Sequence, residues 1–85
     1  PPFLQMQTWT VYIIKCSDNS HYVGCTANLE ERLIRHHKKQ VTSTKYRVPA
    51  LLITSIQFND KYKAYLFEKY LKSGSGRAFM NKRLI

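Results

Sequence analysis

Residues Thr8 to Cys16 (TWTVYIIKC) form a run of β-branched and aromatic side chains, which predicts a strand. The run ends at Ser17-Asp18-Asn19-Ser20, a cluster of turn formers, and His21 to Thr26 reads as the returning strand of a hairpin. Gly24 within it marks a bulge or a place where another backbone comes close. Beyond it the pattern becomes helical. Asn28 and Glu31 have the spacing of an N-cap and its reciprocal partner, opening a helix that runs to about Lys39. Its expected core-facing arc is Leu29, Leu33, Ile34 and His37, with Arg32 and His36 one turn apart along the border.

Gln40 to Pro49 carries no period and reads as an exposed loop with Lys45, Tyr46 and Arg47 at its tip. Ala50 to Phe58 (ALLITSIQF) predicts a third strand, mostly buried. Asn59 and Asp60 then cap a second helix over Lys61 to Lys72, with Tyr62, Leu66, Phe67, Tyr70 and Leu71 on one apolar side. Ser73-Gly74-Ser75-Gly76 is a stop signal that offers glycine where a helix end wants a left-handed residue, and Arg77 to Leu84 predicts a short last helix. The order strand, strand, helix, strand, helix, helix predicts an α+β fold, a small three-stranded sheet flanked by two or three helices.

Length and charge narrow the function. The 85 residues suit one small domain, expected over residues 8–85, with residues 1–7 read as an N-terminal tail or a remnant of expression. Fourteen Lys and Arg against five Asp and Glu leave a formal charge of +9, which favours a polyanionic partner, nucleic acid before an anionic membrane. No apolar run is long enough to span a bilayer and no signal region opens the chain, so the expected location is intracellular, in the cytoplasm. Cys16 and Cys25 fall near opposite ends of the hairpin, too distant for a disulfide, and are expected to be buried free thiols.

Few acids occur in so basic a chain, and all but one have structural roles. Asp18 belongs to the turn, Asp60 to a cap, and Glu30 and Glu31 to a first helical turn. Glu68 lies mid-helix above Ala64, either in an exposed pair with Lys72 or as a lone carboxylate able to hold one Mg²⁺. Tyr12 and Tyr22 share a face of the hairpin only if the loop is odd-numbered, for instance three residues with Asn19 left-handed. Arg32 carries the planar fork that suits a phosphate, and His36 one turn on can donate to that group or move a proton. Around them Arg35, Lys38, Lys39, Lys45 and Arg47, with Tyr46 to stack on a base, make a backbone-binding strip.

Thr10-Val11-Tyr12, Tyr22-Val23-Gly24, Arg32 and Glu68, in that order and spacing, resemble the GIY-YIG nuclease domain. The similarity runs from about Trp9 to Leu84 and is nearest the small standalone members of the excision-repair nuclease-like branch, in WTVYIIKCSDNSHYVG, ANLEERLIRH and FEKYLKSGSGRAF. The resemblance implies an antiparallel sheet and a metal-dependent endonuclease that hydrolyses phosphodiester bonds in DNA. It implies Tyr12 as the phenol nearest the attacking water, Tyr22 as orienting the phosphate or sharing the proton, and Arg32 as stabilising developing charge. His36 would assist at the nucleophile or phosphate, and Glu68 would hold Mg²⁺ or Mn²⁺, with no small-molecule cofactor. A phenol with a reference pKa of about 10 is a poor base, so nearby cations must lower it or the metal must share the work. Thr10 replaces the first motif's glycine, Cys25 stands where some members have lysine, and Asn81 aligns loosely with a late asparagine. The alternative is a non-catalytic nucleic-acid-binding module of the same fold; strand preference, pathway and oligomeric state are not legible in these residues.

Overall fold

The computed structural model describes residues 7–85, so most of the expected tail lies outside the described residues. β1 (Trp9–Lys15) and β2 (His21–Thr26) form the expected hairpin, and β3 (Leu51–Phe58) pairs with the other side of β1. The sheet is antiparallel in the order β2-β1-β3, which leaves β1 central and β2 and β3 as edges. α1 (Leu29–His37), α2 (Lys61–Leu71) and α3 (Gly74–Arg83) complete the α+β fold. Among the described residues no helix is long and apolar enough to cross a membrane.

Strand alternation gives the sheet two covered faces. Val11, Ile13, Val23 and Cys25 point toward Ala64 and Leu71 of α2 and Met80 of α3. Tyr12 and Ile14 point the other way, toward Leu29 and Leu33 of α1 and Ala50. Their near-complete burial makes β1 the spine of both layers. Both cysteines are buried free thiols, as expected.

The hairpin turn decides which side chains share a face. Cys16 donates its backbone N–H to Ser20 O (2.8 Å), Asn19 donates to Cys16 O (2.9 Å), and Asn19 is left-handed at φ 69°. Ser17, Asp18 and Asn19 therefore make a three-residue loop, an odd number. Tyr12 stands opposite Gly24 and Ile14 opposite Tyr22, so both tyrosines project from one face.

Three sequence expectations are corrected. β3 is an edge strand, and Leu51, Leu52 and Ile53 are exposed instead of buried. Ser73-Gly74-Ser75-Gly76 supplies no left-handed residue: α2 ends in right-handed Lys72, and Ser73 is the N-cap of α3, its hydroxyl accepting from Gly76 N–H at 3.2 Å. Gly76 is needed for proximity, because a Cβ there would overlap the Tyr70 carbonyl. The loop from Gln40 is anchored through fully buried Thr44, and of its expected tip only Tyr46 stands out, at 86% exposure.

Candidate active site

α1 turns a polar stripe inward. Asn28 caps it, its side-chain oxygen accepting from Glu31 N–H at 3.1 Å, and the helix then directs Leu29, Arg32, Leu33 and His36 at the sheet. These positions follow i, i+3, i+4, i+7, a single helical face. The expected arc was displaced: Ile34 and His37 are exposed and His36 is fully buried. His37 instead ties α1 to the start of β3, with Nε2 3.0 Å from Ala50 O.

His36 meets Tyr12 beneath the sheet. Tyr12 Oη and His36 Nε2 are 2.9 Å apart, and His36 Nδ1 lies 2.7 Å from Thr44 Oγ1. Tyr22 completes an aromatic triangle, its ring centroid 6.3 Å from Tyr12 and 5.3 Å from His36. Gly24 makes room for the phenol, since a Cβ there would overlap the Tyr12 hydroxyl and the ring carbon that bears it. The β1–β2 ladder has no bulge at Gly24, and what comes close there is a side chain of the neighbouring strand instead of the expected backbone.

The electrostatics keep this pair neutral. Burial, followed by Tyr22, pushes the Tyr12 phenol up to about 12, while the Arg32 charge and its hydrogen-bonding proximity pull the other way. Arg32 thus acts on Tyr12 as expected, but desolvation outweighs it. His36 is held below its ordinary value by burial first and then by Arg32, His37 and Arg35, so its imidazole is an unprotonated base at neutral pH.

Glu68 reaches the site from the opposite side of the β2 edge. α2 is capped by Asp60, whose carboxylate accepts from Tyr62 N–H at 2.8 Å, and it turns inward buried Ala64 and Leu71 with half-buried Phe67 and Glu68, again at i, i+3, i+4, i+7. Tyr62, Leu66 and Tyr70, expected on the apolar side, are exposed. The Glu68 side chain is 17% exposed and its charge acts on both Tyr12 and Cys25, as does that of Arg32. Lys72 donates to Glu68 Oε2 at 3.1 Å and holds its ammonium 5.8 Å from the Tyr22 ring. The expected i,i+4 pair with Lys72 is formed, but its carboxylate partner is largely covered instead of exposed.

A cavity of about 320 Å³ opens beside Tyr22, lined by His21, Lys72, Arg77 and Asn81 among others. Tyr12, Arg32, His36 and Glu68 do not line it; the Tyr12–His36 contact, the Tyr22 ring contacts and the charges of Arg32 and Glu68 on Tyr12 are what bring the five together, with Asn81 on the cavity side of Tyr22. Thr44 and Lys72 escaped the sequence reading as site residues: no local pattern marks Thr44, and Lys72 was visible only as a helix neighbour of Glu68. Among the described residues no group of three or more His, Cys, Asp or Glu gathers, so Glu68 is the available anionic ligand. Such a lone carboxylate fits a Mg²⁺-like ion that keeps its waters and takes its other ligands from phosphate.

The basic strip divides. Arg35, Lys38 and Lys39 are exposed at the C-terminal end of α1, and Lys45 lies 4.9 Å over the exposed Tyr46 ring. Arg47 is engaged internally, its Nε and Nη2 donating to Ser43 O at 3.2 and 2.6 Å and its Nη1 to Ser20 Oγ at 2.6 Å.

A hairpin and two helices thus carry a buried tyrosine and histidine beside an arginine and a carboxylate. The family model for the GIY-YIG catalytic domain matches residues 8–83, and the chain belongs to that nuclease-type family. Within it, the chain is similar to UPF0213 proteins. It is 38% identical to YsiG of Lactococcus lactis, over 79% of this chain and 65% of that protein, and so spans just under two thirds of its length. It is 41% identical to SH2523 of Staphylococcus haemolyticus, over 76% of this chain and 80% of that one. The solution NMR structure of the UPF0213 protein BH0048 from Bacillus halodurans superposes with a TM-score of 0.57 at 28% identity, covering 88% of this chain and 83% of that one.

Proposed function

We propose that the protein is a metal-dependent endonuclease that hydrolyses phosphodiester bonds in DNA. The observation that carries this reading is the buried Tyr12–His36 contact of 2.9 Å, with Arg32 and Glu68 both acting on the same phenol. A phenol pushed up to about 12 is no base by itself, but one that passes its own proton to a neutral imidazole can take another from water. The water proton moves to Tyr12 Oη as the Tyr12 proton moves to His36 Nε2, and the hydroxide oxygen forms its bond to phosphorus. Arg32 shifts its fork from the phenol to the phosphoryl oxygens, uncovering Tyr12 Oη and offsetting the charge that develops there. Tyr22 orients the scissile phosphate. The leaving oxygen departs toward solvent and takes its proton from it.

Glu68 would hold the divalent ion, Mg²⁺ or Mn²⁺, which when bound supplies Lewis-acid stabilisation of charge on the phosphoryl and leaving oxygens. Arg35, Lys38, Lys39 and Lys45 would neutralise flanking phosphates, and Tyr46 would stack on an unpaired base. The reading is tested with supercoiled plasmid and labelled single- and double-stranded oligonucleotides, comparing the wild type with Glu68→Ala in Mg²⁺, Mn²⁺ or EDTA. Cleavage by the wild type alone, lost in EDTA, is expected. The second reading, a binding module without activity, draws on the Lys72 ammonium already seated on Glu68 at 3.1 Å. Salt-sensitive binding by both proteins with cleavage by neither would favour it.

A further inference from the structure

Thr44 is fully buried in a loop otherwise half-exposed or exposed, and its hydroxyl lies against the one histidine that faces Tyr12. Buried polar groups must all be partnered, and no buried side-chain N or O among the described residues is left without one. Protons can therefore be assigned by accounting. Tyr12 Oη is fully buried, and His36 Nε2 is the one acceptor its proton meets among the described residues, since the neighbouring Arg32 guanidinium can only donate. If Nε2 carried the imidazole proton, the buried phenol proton would have no acceptor in the resting protein, costing about 1–3 kcal/mol.

The opposite arrangement satisfies every group. Tyr12 donates to His36 Nε2, His36 Nδ1–H donates to Thr44 Oγ1 at 2.7 Å, and the Thr44 hydroxyl donates to Val41 O at 3.5 Å. Val41 O already accepts the Thr44 backbone N–H at 3.0 Å, so this turn fixes where the hydroxyl sits. We propose that Thr44 is a positioning residue that holds His36 in the Nδ1–H tautomer, aiming the Nε2 lone pair at Tyr12. An outer partner choosing which imidazole nitrogen faces the reaction is a general device of histidine sites. The proposal rests on the nuclease reading for its consequence in catalysis, but the tautomer itself is observable without any cleavage.

The experiment is long-range ¹H–¹⁵N NMR of histidine-labelled protein at neutral pH, which separates protonated from unprotonated ring nitrogens. His36 is assigned by comparison with His21→Gln and His37→Gln. The wild type and Thr44→Ser are expected to show Nδ1–H at His36, and Thr44→Val to lose that preference. In cleavage, Thr44→Val should lower kcat at least about tenfold with KM unchanged, while Thr44→Ser stays near wild type. Nε2–H at His36 in the wild type would overturn the proposal. So would a folded Thr44→Val with unchanged tautomer and kcat, and if that variant does not fold, loss of Nδ1–H in folded Thr44→Ser would do so. A wild type with Nδ1–H that cuts nothing would overturn the nuclease reading and leave the tautomer assignment in place.

Discussion

Gly24→Ala is the smallest change that attacks the site through packing. The added Cβ would overlap the Tyr12 hydroxyl, its ring carbon and a neighbouring ring carbon. Neither partner has room to retreat: Gly24 is held opposite Tyr12 in the β1–β2 ladder, and Tyr12 is fully buried. Overpacking of this kind costs about 1–3 kcal/mol. Pushing the hydroxyl off His36 leaves Nε2 unpartnered, for about 1–3 kcal/mol more. A total near 3 kcal/mol would lower Tm by roughly 15 °C in a domain of this size. Gly74→Ala is the internal control, because nothing lies within 4 Å of a Cβ there and its backbone is not left-handed. It should be neutral or stabilising by up to about 1 kcal/mol. Urea and thermal unfolding followed by circular dichroism give both numbers, and cleavage assays on folded Gly24→Ala should show lost activity. A Gly24→Ala protein as stable and active as the Gly74→Ala control would refute the placement of Tyr12 against Gly24.

The phenol of Tyr12, pushed up to about 12, binds its proton more tightly in the folded chain than in the unfolded one. Its contribution to stability is therefore whole below about pH 10 and lost as pH rises toward about 12, so urea midpoints should fall less steeply there for Tyr12→Phe than for wild type; equal slopes would count against it. Lys72→Met frees Glu68 Oε2 from its 3.1 Å pair and should tighten Mn²⁺ binding at least about twofold by calorimetry, whereas weaker binding would contradict Glu68 as the ligand. Both cysteines are buried, and burial pushes the Cys25 thiol up, so a thiol reagent should label neither until the chain unfolds. Rapid labelling of the native protein would show that the hairpin ends are open.

The hairpin was legible because its signals are local. Strand residues, turn formers and the odd loop with Asn19 left-handed together place Tyr12 and Tyr22 on one face, and that logic needs nothing beyond β1 and β2. The caps at Asn28 and Asp60 were legible for the same reason. The helix faces were not. Both α1 and α2 turn inward a stripe that includes the functional polar residues, Arg32 and His36 in one and Glu68 in the other. Hydrophobicity therefore pointed to a partly displaced arc in each: Leu29, Leu33, Phe67 and Leu71 pack inward as expected, but Ile34, Tyr62 and Leu66 look like core and are exposed, while a histidine with two hydrogen-bond partners is fully buried. The burial of β3 was over-read because an uncharged strand looks the same at an edge as at the centre of a sheet. Thr44 had no signal at all, since its role exists only where the loop returns to His36.

In the proposed reaction Tyr12 and His36 act as one proton-accepting unit beside Glu68. The most direct measurement is single-turnover cleavage of a labelled oligonucleotide by wild type and Tyr12→Phe, with binding measured in parallel. Removal of one hydroxyl should slow cleavage about 10²- to 10⁴-fold and leave affinity nearly unchanged. Equal cleavage rates for the two proteins would contradict the account, whatever the metal requirement proves to be.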